Sequence, residues 1–262
     1  MRIVEPEVHI IAESKIDETG LEDYLAAIGA DQWITEAVSD AEYLTEVMGK
    51  SCYLSFSTDL NRNLTKVNTR DNQDYVKEAI VKNLHHSVLE HTSVSIAFVN
   101  VSRVLTHELV RHRIAAYSQV SGRYVRTDDL GFWIPSCIEN DPELKSIFVA
   151  EIKHQEEVQR RMVEISGIES MTDFKKKKIL TSAFRRLIGN GVSNHINATY
   201  NHRALRHMIE LRTDASAEEE IRLVFNKLYD RLFYRFPSIY ADGVRTLKDG
   251  HDEIKFDCHR TF

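Results

Sequence analysis

The sequence predicts an α+β fold, and three observations lead there. Amphipathic helical segments come in blocks, several with capping residues at their starts. The few stretches that alternate at the period of a strand are short and widely separated. No strand–helix repetition of a βαβ array runs through the chain. With 262 residues, 42% of them apolar, the chain is long enough for one large domain or two small ones and can fill a substantial core.

From the N-terminus, Val4, Val8, Ile10 and Ile11 mark an opening strand within Ile3–Ala12, which Pro6 weakens or assigns to an edge. Ser39–Met48 reads as a short helix leading into apolar Cys52–Phe56. Thr58–Gln73, rich in Asn, Asp, Thr and Arg without periodicity, reads as a loop. Tyr75, Ile80, Val81 and Leu84 give the apolar side of a helix that runs into His85–His91. In Thr92–Val101, Val94, Ile96 and Phe98 alternate with Ser93, Ser95 and Ala97, which predicts a strand. A helix follows from Ser102 with Val104, Leu105, Leu109 and Val110 as its buried side.

Asp141-Pro142-Glu143 is a helix start: a capping aspartate, proline in the first turn and an acid near the positive end of the dipole. Leu144, Phe148, Ile152, Val158, Met162 and Ile165 carry that helix to Gly167. A further helix spans Asp173–Leu187, with Lys175–Lys178 as a solvated face. His195–Tyr200 reads as a strand and Asn201–Leu211 as a helix. Ser216-Ala217-Glu218-Glu219 has the pattern of a capping box ahead of Ile221, Val224, Phe225, Leu228 and Leu232, a long amphipathic helix stopped by Pro237. Beyond Gly243 the chain is polar, and no element is assigned there.

Composition narrows the function classes. A net charge of -6 with 28% charged residues calls for neither nucleic acid nor an anionic membrane. Cys52, Cys137 and Cys258 are odd in number, far apart and outside any CxxC spacing, so they are expected to be reduced thiols of a cytoplasmic protein. No signal-peptide pattern opens the chain, and no window approaches 18 uninterrupted apolar residues.

Against that acidic background, Arg111–Tyr124 holds three arginines and a histidine among small polar residues. Forked guanidinium donors match phosphate or carboxylate, so the stretch is either a pocket for an anion or a solvated basic helix end. A second arginine concentration comprises Arg185, Arg186, Arg203, Arg206 and Arg212. Arg203 and His207 are four apart on one helix face, and Arg206 can pair with Glu210. Asn201 before its helix is an ordinary cap, and Arg212 near a helix C-terminus has a local electrostatic reason to be there.

Other motifs fall away. His107 and His112 are five apart where a zinc-protease helix needs four, which turns them about 140° from each other. His85, His86, Glu90 and His91 leave open a metal-dependent hydrolase, and the arginine loops leave open RNA binding through phosphate contacts. No Gly-x-Ser-x-Gly elbow, P-loop or Gly-x-Gly-x-x-Gly is present.

Arg111-His112-Arg113, seven residues, then Ser121 resembles the RHR-x7-S signature of flavin-dependent thymidylate synthases, with Tyr117, Arg123 and Tyr124 fitting around it. His85–His91 is similar to that family's upstream His/Glu segment. Asn201-His202-Arg203 followed by Leu211-Arg212-Thr213-Asp214 is similar to its C-terminal segment, so the resemblance runs from about Ser55 to Ile221 in order and rough spacing. It implies helices packed around a small, mainly antiparallel, curved sheet in a single domain over residues 1–243, with a C-terminal tail over 244–262.

The resemblance further implies synthesis of dTMP from dUMP with methylenetetrahydrofolate as one-carbon donor, FAD as redox cofactor and NADPH as reductant. The implied enzyme is a homotetramer with active sites between subunits, acting on small molecules and binding no nucleic acid, membrane or metal. Carried over by position, Ser87, Glu90, Arg111, His112, Arg113, Gln119, Asn201, Arg203 and His207 are expected to contact FAD. Glu108, Arg111, Gln119, Val120, Ser121, Gly122, Arg123, Arg185 and Arg212 are expected to contact dUMP. Arg212 is the expected catalytic residue, facing the uracil edge, and Ser121 binds rather than attacks, since no base is evident beside it. Glu108, Gly189, Ser216 and Glu218 depart from the residues frequent at those positions, which leaves open whether Glu108 meets dUMP and whether Arg185 or Arg186 is in register.

Overall fold

The structure, a computed structural model, describes residues 1–56, 71–83, 85–124 and 131–256, with the backbone alone for 79–82. Strands β1 (Arg2–Ile3) and β2 (Glu7–Glu13) precede α1 (Glu18–Ala27), α2 (Asp40–Ser51) and a short α3 (Asn72–Asp74) that continues as a π-helix, Tyr75–Lys82. A 3-10 helix, His86–Glu90, leads to β3 (Ser93–Ser102), α4 (Arg103–Leu109), β4 (Ala116–Gln119), β5 (Gly131–Phe132), α5 (Ser136–Glu139) and α6 (Pro142–Ser166). Then come α7 (Phe174–Phe184), a 3-10 turn at Arg185–Leu187, β6 (Ser193–Asn201), α8 (His202–Thr213), α9 (Glu219–Arg235), α10 (Pro237–Tyr240) and the strands β7 (Gly243–Lys248) and β8 (His251–Phe256).

The expected α+β class holds. The strand order of the main sheet is β2-β3-β6-β4, β7 pairs with β8 antiparallel, and β1 pairs with β5 parallel over two residues. Contacts cluster into two compact units, one of Met1–Val8 with Ala97–Ala198 and one of His9–Ile96 with Thr199–Phe262. No helix among the described residues is long and apolar enough to cross a membrane.

In the first unit, Phe132, Ile152 and Val192 form a core with Met1, Phe148 and Ile188 packed against it. Asp141 caps α6 as expected, accepting from the amides of Glu143 and Leu144, and the helix closes on Gly167 at φ 59°, a left-handed position that glycine takes without a Cβ clash. Its expected apolar side is only partly used: Ile152 is buried, whereas Leu144 and Ile165 are exposed. Glu156 and Gln159 are buried instead, Glu156 on the amino group of Met1 and Gln159 on the carbonyl of Phe184. On α4, Leu105 and Leu109 are buried as expected but Val104 and Val110 are exposed, because a helix of under two turns seats only one pair spaced by four.

In the second unit, Leu25, Ala30, Val47 and Phe56 pack with Leu21, Ile28, Trp33 and Tyr43, while α8 and α9 bury Leu205, Met208, Ile209, Ile221, Val224, Phe225 and Leu228. Helix α1, capped by Asp17, has no counterpart in the sequence reading. Most of the loop expected over Thr58–Gln73 lies outside the described residues, and its end is already helical behind the Asp71 cap. The capping box at Ser216 does not form. The amide and hydroxyl of Ser216 both turn to Asp214, and Glu218 caps α9 in its place. The polar stretch beyond Gly243 is a hairpin with six paired positions, turned by Asp249 and Gly250 at φ 50° and 80°. Positive φ at both central residues is the primed turn that Asp-Gly favours.

Candidate active site

The basic stretch begins where α4 runs out. Ser102 caps that helix by accepting from the Leu105 amide at 3.0 Å, and the first free amides, Arg103 and Val104, donate to the carbonyls of Val192 and Asn190. Past Leu109 the backbone tightens into three-residue turns, with the amide of Arg111 on Glu108 and that of His112 on Leu109. Arg111 and Arg113 are thereby exposed, while His112 and Glu108 are half-buried. Among the described residues no carboxylate pairs with Arg111 or Arg113.

Strand β4 then carries the chain to the second half of the stretch. Gln119 donates from Nε2 to the buried Thr106 hydroxyl at 3.0 Å, and the Val120 amide donates to the carbonyl of His195 at 3.0 Å. Ser121–Tyr124 close a turn in which the Tyr124 amide reaches the Ser121 carbonyl and the Arg123 amide reaches the Ser121 hydroxyl. The turn lies beside the stem of Arg185: a Cβ added at Gly122 would sit 3.4 Å from its Cδ, an ordinary contact.

The lysine run is not wholly a solvated face. Phe174 stacks on Tyr124 with ring centres 6.3 Å apart, and Lys178 Nζ stands 4.7 Å over the same ring. A hydrogen bond from Lys178 lowers the pKa of the Tyr124 phenol. Phe174, Lys178 and Arg185 are four and seven residues apart, one helix face, and that spacing is the sequence signal that pairs α7 with the 121–124 turn. Thr106, three residues into α4, has no comparable signal.

The other candidate residues lie in the second unit. Ser87 and Glu90 are exposed on the 3-10 helix, and Glu90 pairs with Arg203 at 2.5 Å. On a 3-10 helix four positions amount to about 480°, so His86 and Glu90 face directions about 120° apart and cannot chelate as an i, i+4 pair. Asn201 caps α8, its Oδ1 accepting from the Ala204 amide at 2.7 Å, which leaves the side-chain amide NH2 for other partners. Arg203 and His207 are both exposed one turn apart, and Arg212 is half-buried in the last turn.

Arg206 does not pair with Glu210. It turns inward, 4% exposed, forks onto both oxygens of Asp242, bonds the Ile239 carbonyl and stacks 3.9 Å over Phe256. The buried bidentate partner outcompetes Glu210, which is half-buried one turn along and accepts from the Phe256 amide instead. Asp214, just past Arg212, accepts from the amide and hydroxyl of Ser216 and pairs with Lys255, and these bonds hold its carboxyl well below the usual range.

The two units thus gather separate sets: Glu108, Arg111–Arg113, Gln119–Arg123 and Arg185 in the first, and Ser87, Glu90, Asn201, Arg203, His207 and Arg212 in the second. Chemically the first set is rich in the guanidinium and amide donors that suit an anion, and the second includes an exposed arginine, Arg203, paired with Glu90 one turn from the exposed His207.

Comparison with known proteins gives this arrangement a family. The family model described as "Thymidylate synthase complementing protein" matches residues 34–238. The chain is 35% identical over 223 residues to a flavin-dependent thymidylate synthase of Mycolicibacterium gilvum, covering 84% of this chain and 86% of that protein. It is 33% identical over 244 residues to one of Mycobacterium avium, covering 92% and 94%. A solved structure, thymidylate synthase X from Helicobacter pylori with FAD and dUMP, shares the fold with a TM-score of 0.52 at 15% identity, over 90% of this chain and 99% of that one. On the family model and these relatives, the chain belongs to the thymidylate synthase complementing proteins, the family of flavin-dependent thymidylate synthases.

Proposed function

We propose that this protein makes dTMP from dUMP in the cytoplasm, taking the one-carbon unit from methylenetetrahydrofolate, with FAD as redox cofactor and NADPH as reductant. The observation that carries the reading is the Ser121–Tyr124 turn lying on the stem of Arg185 directly after the Arg111–Arg113 triplet. Phosphate dianions need forked donors and close backbone amides, and a glycine beside an arginine supplies both without bulk. The residues also fit a flavin dinucleotide. Arg111 and Arg113 are exposed cations, and Arg203 is fixed in direction by Glu90, a donor set suited to a pyrophosphate and ring carbonyls rather than to a metal.

In this reading Arg111, His112 and Arg113 bind FAD, Ser87, Asn201, Arg203 and His207 complete its contacts, and Glu90 orients Arg203. Bound FAD, once reduced by NADPH, would supply the two electrons that turn the transferred one-carbon unit into a methyl group. Val120, Ser121, Gly122, Arg123 and Arg185 hold the phosphate and sugar of dUMP. Gln119, anchored on Thr106, carries its amide between cofactor and nucleotide, and Glu108 lines the nucleotide side. Arg212 faces the uracil, where a fixed guanidinium stabilises the negative charge that develops as C5 becomes nucleophilic. That cation removes the need for a cysteine nucleophile, and Cys52 and Cys137 are exposed free thiols away from every one of these residues in sequence. The assembly is a homotetramer in which more than one subunit contributes to each site.

The test is direct. Purified protein is expected to be yellow with an oxidised-flavin spectrum, and to release tritium from C5-labelled dUMP only when methylenetetrahydrofolate and NADPH are both supplied. A colourless protein that takes up no FAD and releases no tritium refutes the proposal. No observation favours the metal-hydrolase or RNA-binding alternatives.

A further inference from the structure

We infer that the hairpin β7–β8 is a positioning device for Arg212, holding the last turn of α8 through Glu210, Thr213 and Asp214. The inference rests on the proposed role of Arg212 at the uracil.

Three consecutive residues of β8 reach three residues that bracket Arg212. The Ile254 amide donates to the Thr213 hydroxyl at 2.9 Å, Lys255 Nζ pairs with Asp214 at 3.0 Å, and the Phe256 amide donates to Glu210 Oε1 at 3.0 Å. Thr213 has one proton to give. The Ile209 carbonyl at 2.8 Å is a better acceptor than the Ile254 carbonyl at 3.5 Å, so the hydroxyl bridges strand amide to helix carbonyl. Thr213 and Ile254 are both 0% exposed, and water cannot replace either partner.

The hairpin is itself rigidly mounted. Arg222 donates to the carbonyls of Lys248 and His251, and Asn226 to that of Asp252 at 2.9 Å, fastening both strands to α9. Arg245 stacks over Tyr229 and pairs with Asp230 and Asp252. The end of a helix ordinarily frays because its last carbonyls lack intrahelical partners. Here the turn bearing Arg212 is tied to an antiparallel pair that is tied in turn to a second helix, so its guanidinium is carried on a fixed backbone. Misplacing a reacting group by about 1 Å can cost on the order of 10²-fold in rate, which is why this clamp matters for turnover and not only for stability.

The experiment compares Thr213→Val, Thr213→Ser and Arg245→Gln in the full-length protein. Thr213→Val keeps the shape and removes the bridging hydroxyl. It is expected to speed amide exchange at 211–214 and to lower kcat between roughly 10- and 10²-fold, with KM for dUMP and FAD occupancy little changed, the pattern of an interaction felt in the transition state. Thr213→Ser restores the bridge and both readouts. Arg245→Gln removes one mounting of the hairpin while Arg222 and Asn226 keep theirs, so it is expected to lower Tm with a much smaller effect on kcat and on exchange at 211–214 than Thr213→Val. If Thr213→Val does not accumulate folded, Glu210→Ala, at a half-buried position, carries the same expectation. Native exchange at 211–214 in the variant, or native kcat, overturns the inference. A native protein that makes no dTMP defeats the proposed function instead, and the exchange comparison still decides whether the hairpin holds the turn.

Discussion

His202 should make this protein acid-sensitive by a predictable amount. Its imidazole is fully buried, packed edge-on against Phe236 and Tyr240, with Nδ1 2.8 Å from the Tyr240 hydroxyl and no hydrogen-bond partner for Nε2 among the described residues. A second ring proton would have no acceptor, and burial followed by the nearby Arg206 charge brings the pKa from 6.5 down to about 3. A base with a depressed folded pKa imposes no penalty above its unfolded pKa. Stability is lost as pH falls below 6.5, at a slope approaching ~1.4 kcal/mol per pH unit, until the folded form also protonates near pH 3. At pH 5 the loss from this one group is about 2 kcal/mol, set almost wholly by the unfolded pKa, against a typical total of about 5–15 kcal/mol. The perturbation is His202→Gln, and the assay is urea unfolding by circular dichroism at steps from pH 7.5 to 4.5. The variant is expected to start lower at neutral pH, because Tyr240 loses its partner geometry, but its decline between pH 7.5 and 5 should be shallower by about 2 kcal/mol. Parallel curves for the two proteins, or an imidazole that titrates near 6.5 in the native state by NMR, would refute the reasoning.

Three further outcomes follow from named contacts. Arg206→Ala strands the buried Asp242 carboxylate and the Ile239 carbonyl, so it should cost about 3–5 kcal/mol in urea unfolding, whereas Glu210→Gln should leave the Asp242 pair untouched. Asn201→Ala should lose about 1 kcal/mol with the helix cap, and Asn201→Ser should recover that stability without recovering FAD affinity, separating cap from ligand by calorimetry on one side and flavin titration on the other. Arg212→Ala should retain FAD and lose most tritium release from dUMP; a variant with native turnover would remove Arg212 from the mechanism.

Local chemistry was the legible part of the fold. Ser39, Ser102, Asp141, Asp173 and Asn201 all cap helices, because a cap is decided by a side chain and amides two or three residues on. Ser216 has the same local pattern and fails, since Asp214 sits two residues back as a stronger acceptor for its amide and hydroxyl. Burial on α6 was less legible than its ends. Glu156 and Gln159 are covered because partners far along the chain, Met1 and Phe184, come to meet them, and no periodicity within the helix encodes that. The hairpin is hard to read in the sequence for a different reason. Asp249-Gly250 is a strong turn signal, but β7 is exposed on both faces from Val244 to Lys248, so no alternation of buried and exposed positions frames a hairpin there.

The candidate site shows the same division between what is near in sequence and what is not. Arg111–Arg113 and Ser121–Arg123 are one continuous stretch, and their spacing, together with the His85–His91 and Asn201–Asp214 segments in order, carries the resemblance. What the spacing could not reveal is which remote side chain each residue leans on: Thr106 for Gln119, Arg185 for Gly122, Glu90 for Arg203. Arg206 makes the point in reverse. On sequence it is one more cation in a functional segment, with the same i+4 acid that marks a surface pair, yet its burial against Asp242 and Phe256 makes it part of the frame. An arginine in such a segment is therefore a ligand candidate only if its guanidinium is not already saturated. Arg206 has both fork nitrogens committed to one carboxylate, so it cannot also reach a phosphate, and the cationic or imidazole side chains of α8 left to meet a ligand are Arg203, His207 and Arg212.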